Sequence, residues 1–155
     1  MTIIDKIAES VKSATGLAFY YDTPATLNKR VDNVNLPCAM MYIVESGTVT
    51  DENGIMRERL TVQVLFTNLS DLDFDGLDNE RERLDEMKRA AYRWVLSLRR
   101  SDALRLVSVG DTHRYYASED AIITAFAIQV TVDEIQGVCY DSKAINTGYS
   151  CGCAG

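Results

Sequence analysis

Residues 78–100, DNERERLDEMKRAAYRWVLSLRR, decide how this chain folds. Apolar residues in and just before this stretch return at steps of three, four or seven: Leu77, Leu84, Met87, Ala91, Val95 and Leu98. That period draws one stripe down a helix and leaves arginine, glutamate and lysine on the other side. The start is acidic (Asp75, Asp78, Glu80, Glu82) and the end is basic (Arg99, Arg100), as the helix dipole favours. At the usual rise per residue the helix spans about 34 Å, enough to cross a small domain. A single stripe needs a flat apolar surface to lie on, and the segments on either side supply one. Tyr92 and Trp94 flank the stripe, so at least one of them is expected to meet something other than the helix's own sheet.

Upstream of the helix lies a hairpin. Pro37 introduces a strand over residues 38–50, and Asp51-Glu52-Asn53-Gly54 is a turn signal. A second strand follows over residues 55–67, where Leu60, Val62, Val64 and Phe66 alternate with Arg59, Thr61, Gln63 and Thr67. One face of that strand is therefore buried. The outer half of the hairpin (Thr48, Thr50, Arg57, Glu58) is polar on both sides, which predicts a tip projecting beyond the body.

Downstream, residues 104–109 and 112–117 read as two strands joined by a tight Gly110-Asp111 turn. A further strand covers residues 121–132, with Ile122, Phe126, Ile128, Val130 and Val132 on one face. At the other end of the chain, residues 3–14 form a short amphipathic helix with Ile4, Ile7, Val11 and Ala14 inward. Thr2 and Asp5 approximate a capping box, and Gly16 ends the helix. Residues 17–21 suit a short strand and residues 22–36 a loop. Helix, hairpin, long helix and three-stranded meander predict an α+β fold: two layers, a mostly antiparallel sheet with the long helix packed across it, and the short N-terminal helix. Residues 1–135 are read as a single domain and residues 136–155 as an irregular C-terminal tail.

Composition narrows the function. The apolar share of 46% and charged share of 25% are those of a globular protein with a real core. The longest apolar runs fall well short of a membrane span. MTIIDKIAESVK carries acids and no continuous apolar stretch, so it does not read as a secretory leader. A net charge of −7 argues against gripping nucleic-acid phosphates or reading sequence. The four cysteines, Cys38, Cys139, Cys151 and Cys153, suit reduced thiols in a cytoplasm better than a disulfide framework.

Three constellations could carry chemistry. Asp71, Asp73, Asp75, Gly76 and Glu82 match the spacing of an EF-hand calcium loop, whose alternating oxygens and distal glutamate suit that ion. The preceding segment is a strand, the usually apolar eighth position is Asp78, and no second hand follows, so the loop reads first as an acidic helix cap. A calcium-binding or calcium-stabilised module is the alternative function on these residues. His113, the single histidine, has Asp111 as its one nearby acid, and no nucleophile is placed beside it. Cys151 and Cys153 could join Cys139 on a metal, but they supply three ligands where zinc wants four. No catalytic, cofactor-binding or metal residues are assigned.

The order of elements resembles the tail-terminator and tail-completion proteins of long-tailed bacteriophages. The resemblance runs from about Ile3 to Val132 and rests on layout: short helix, polar loop, proline-led strand (Leu36-Pro37-Cys38), polar-tipped hairpin, long Arg/Glu helix and closing strands. It implies a structural role without catalysis or cofactor, in a virion assembled in the bacterial host cytoplasm. It further implies a homo-oligomeric ring, commonly a hexamer, that docks on the tail tube and on neck or connector proteins and lets DNA pass. Asp51, Glu52, Asn53, Gly54 and Arg57 are then the expected intersubunit contact, because binding residues concentrate on loops held by rigid scaffolds.

Overall fold

The computed structural model describes residues 1–21, 35–69, 77–115, 123–136 and 138–139. The elements are α1 (Ile3–Thr15), β1 (Ala18–Tyr21), β2 (Cys38–Thr50), β3 (Ile55–Leu69), α2 (Leu77–Leu98), β4 (Leu104–Tyr115), β5 (Ile123–Glu134) and β6 (Val138–Cys139). The strands make one sheet in the order β1-β2-β3-β5-β4, antiparallel except where β1 runs parallel to β2. Both helices lie on one face of it, which is the expected α+β arrangement.

Alternation builds that face. Val62, Val64 and Phe66 of β3 and Phe126, Ile128, Val130 and Val132 of β5 point the same way and are buried together. α2 answers with Leu84, Met87, Ala91, Val95 and Leu98, five of the six stripe residues; the Leu77 side chain lies outside the described ones. Trp94 is fully buried, its ring 6.0 Å from that of Phe66. Its indole N–H donates to the Ser10 hydroxyl of α1 at 2.8 Å, so it does meet a second element. α1 contributes Ile3, Ile7 and Val11, with Ile4 and Ala14 at the margin, so the inward stripe is turned by one residue from the expected one. Its ends are as read: Thr2 and Asp5 exchange both capping-box bonds, and Gly16 closes the helix at φ 71°.

Gly110 and Asp111 make no hairpin turn. β4 passes through them as one strand paired with β5, and its register slips between Leu106 and Ser108 and again between Val109 and Thr112. A tight two-residue hairpin wants positive φ, which Gly110 does not adopt. An added Cβ there would meet Gln129 at 3.4 Å, an ordinary contact. The surplus residues become β-bulges, and the closing meander reduces to two strands docked on β3.

The hairpin tip is also less isolated than expected. β5 pairs β3 from Leu69 to Arg59, and β6 resumes along the same edge at Met56 and Ile55. Ile55 is accordingly buried. No two-stranded ribbon stands free on that side.

Candidate assembly surface

The turn at the tip is held by its own acid. The Asp51 carboxylate accepts from the Asn53 and Ile55 amides at 2.9 and 3.0 Å, and Gly54 takes the positive φ of 76°. Arg57 approaches the Asp51 carboxylate at 3.4 Å and donates through Nε to the Ile135 carbonyl at 3.0 Å. Of the five residues expected at an interface, Asp51, Gly54 and Arg57 thus shape the turn, and Glu52 and Asn53 are exposed at its tip.

Beside the hairpin, the sheet face away from the helices is polar. Asp133 of β5 lies opposite Arg59 of β3 and Arg105 of β4. Arg59 donates to both carboxylate oxygens, at 2.6 and 2.9 Å, and Arg105 adds a third bond at 2.8 Å. The Asp133 side chain is only 1% exposed. Arg59's hydrogen bonds, helped by those of Arg105, outweigh the burial that opposes ionisation and hold the carboxyl below its ordinary value. The neighbouring row joins the hydroxyls of Thr61 and Thr131 at 2.9 Å, and the Tyr42 hydroxyl donates to Gln63. Toward the other end the same face turns apolar, with Cys38, Met40, Leu65, Ala125 and Ala127 buried as a second cluster.

The two ends of the strand order are open over much of their length. β1 covers β2 only along Cys38–Met41, and among the described residues nothing pairs with the rest of that edge. Among the described residues β4 pairs on its inner edge alone, and from Val107 to Tyr115 every residue is exposed. An open groove of about 720 Å³ runs along β4 to the end of α2, lined in part by Arg57, Arg99, Arg105, Leu106, Val107 and Ile135.

The remaining candidates do not assemble into a site. His113 and Asp111 are exposed on β4, Asp111 within the second bulge, and the His113 ring lies 6.5 Å from that of Tyr115. Cys38 is buried, and loss of water pushes its thiol up to about 12, the wrong direction for a nucleophile. Cys139 sits in β6, whereas Cys151 and Cys153 lie outside the described residues. So do Asp71, Asp73, Asp75 and Gly76 of the calcium-like pattern; Glu82 is an exposed residue of α2. Among the described residues no three His, Cys, Asp or Glu side chains are grouped to hold a metal ion. No described helix is long and apolar enough to cross a membrane.

Sequence reasoning missed the Arg59–Asp133–Arg105 row. Its partners stand 74 and 28 residues from Asp133 along the chain, too far for a local pattern. The available signal was parity: Arg59 shares the outward face with Thr61 and Gln63, and Asp133 shares it with Thr131.

No protein-family model matches the chain, and no curated protein matches it either. Among solved structures the chain is similar to one from the virion of a native gene transfer agent particle, at 12% identity and a TM-score of 0.42. That similarity covers 83% of this chain and 90% of the other.

Proposed function

We propose that the chain is a structural subunit of a phage particle, a ring-forming tail terminator or tail-completion protein at the head-tail joint. The observation that carries the reading is the pair of open sheet edges. A strand edge presents unpaired N–H and C=O groups, which a solitary protein usually shortens, charges or covers. Here, among the described residues, the distal part of β2 and the outer edge of β4 are left open at opposite ends of one sheet. A contact between unlike surfaces is heterologous, and repetition of it closes into a ring when the rotation allows. The layout shared with tail-terminator proteins supplies the rest: a hexamer, the tail tube and the neck or connector as neighbours, and a lumen for DNA. A chain of net charge −7 suits a passage that must not hold DNA back.

In this reading Glu52 and Asn53 are the part of the hairpin tip that touches a neighbour. Replacing Asp51–Gly54 by a two-residue turn, which keeps Ile55 and the pairing with β6, is expected to leave the subunit folded and to impair ring formation or docking on tail tubes. Light scattering of the purified protein, alone and with tubes, and electron microscopy of tails made with the shortened hairpin measure this. Full-length tails capped as in the wild type would reject the tip contact. A protein that stays monomeric alone and on tubes would reject the ring.

A further inference from the structure

The solvent face of α2 is divided by charge. On its first half Glu82, Asp85 and Glu86 outnumber Arg81 among the described exposed charges, and Arg89, Arg93, Arg99 and Arg100 are exposed on its second half and just beyond. At 3.6 residues per turn Glu82, Asp85, Glu86, Arg89 and Arg93 fall on one side, opposite the buried stripe, and Arg99 and Arg100 follow the last helical residue, Leu98. The helix dipole accounts for cations at the last turn only, because its effect fades within one turn. Arg89 and Arg93 stand further in, and neither takes part in a salt bridge among the described residues. Between the arginines lie Tyr92, 44% exposed, and Leu96, 58% exposed. Tyr92 is partly occupied, with Lys88 5.5 Å above its ring and Phe126 edge-on at 6.0 Å. Among the described residues Leu96 is the most exposed large apolar side chain after Met1.

An arginine-framed apolar patch asks for an acidic partner surface, and the acidic half of the same helix is one. We infer that α2 is a contact between copies of this chain, the basic second half of one helix lying against the acidic first half of the next. Arg89 and Arg93 pair across the contact with Glu82 and Glu86, and Leu96 is covered at its centre. The two halves are different surfaces: packed antiparallel they close a two-fold pair, and run head-to-tail, as the ring reading requires, the contact propagates. The inference rests on the ring reading for its geometry, although the helix contact itself is tested separately. Acidic macromolecules other than a second copy would seek the basic half alone and ignore the acidic half.

Charge reversal in trans separates these outcomes. The double substitution Arg89→Glu with Arg93→Glu turns the basic side of the contact acidic, and Glu82→Arg with Glu86→Arg turns the acidic side basic. Each variant alone is expected to weaken self-association about a hundredfold, as loss of close charge pairs does. Mixed in equal amounts, the two are expected to recover the wild-type mass in analytical ultracentrifugation, and high salt should weaken both the wild type and the mixture. Surface substitutions of this kind leave the melting temperature nearly unchanged. Should a double variant melt early, the single substitutions Arg93→Glu and Glu86→Arg replace it in the same mixing experiment. A variant that assembles as the wild type does, a mixture that fails to recover, or a wild-type protein that remains monomeric would overturn the contact. Recovery into open chains or dimers would instead keep the contact and reject the ring.

Discussion

The two faces of β3 and β5 are held together in different ways. Toward the helices, Val62, Val64 and Phe66 meet Ile128, Val130 and Phe126 in a dry core, and shape complementarity does most of the holding. On the opposite face of the same strands, Thr61 meets Thr131 through hydroxyls and Arg59 meets Asp133 through a salt bridge. Burial has no orientation, so the helix face fixes how the layers stack and how much stability they gain. Hydrogen bonds are directional, and the polar face therefore fixes which residue stands opposite which. A one-residue slip of β5 would turn Val132 outward and bring Asp133 under α2, where its charge has no arginine to meet.

The largest expected effect lies on the apolar side. Trp94→Ala removes the biggest fully buried side chain and leaves the Ser10 hydroxyl without its donor. A loss of about 3 to 5 kcal/mol in denaturant unfolding is expected. A loss below about 1 kcal/mol would mean that the helix layer is not the main source of stability.

Asp133→Asn is expected to cost less, about 2 kcal/mol, since it weakens charge-assisted bonds whose arginine ends still reach water. This effect carries a pH signature. The carboxyl is held below its ordinary 3.8, so its stabilisation is present above that value and is lost as the pH falls through the folded-state one. The gap between wild type and variant should therefore narrow on acidification below about pH 4. A gap that stays constant to the acid limit would assign the row to shape and not to charge.

The smallest effect should come from Thr131→Val, which removes one side of a half-exposed cross-strand hydroxyl pair. A change of about 0.5 kcal/mol is expected by thermal melting. A loss as large as that of Asp133→Asn would erase the distinction within the polar face and make the whole outer ladder a single cooperative network.

Much of the helix side was legible in the sequence, because its signals are periodic. The three- and four-residue steps of Leu84, Met87, Ala91, Val95 and Leu98, and the two-residue steps of β3 and β5, each depend on neighbours in the chain. Asp51 to Gly54 was legible for the same reason, its bonds being made within five residues. The open end of the sheet was not. Gly110-Asp111 has the composition of a turn, and only the presence of β5 alongside makes a bulge the better use of those residues. The pairing of β6 with β3, and of β1 with β2 in parallel, joins segments whose local patterns carry no record of each other. The candidate interface was read from the hairpin tip alone. The open edges and the divided charge of α2 become surfaces only once the sheet order and the helix's buried side are known.

Cys38 gives this sheet a built-in clock. The thiol lies beneath the apolar patch of the outer face, and its deprotonated form, the species that attacks an alkylating reagent, is almost absent at neutral pH. Modification must then wait for β2 to lift away from its neighbours, so the rate at which the peptide carrying Cys38 is labelled counts openings of the native state. Within an assembled ring the same rate would count how often one subunit loosens while its neighbours hold.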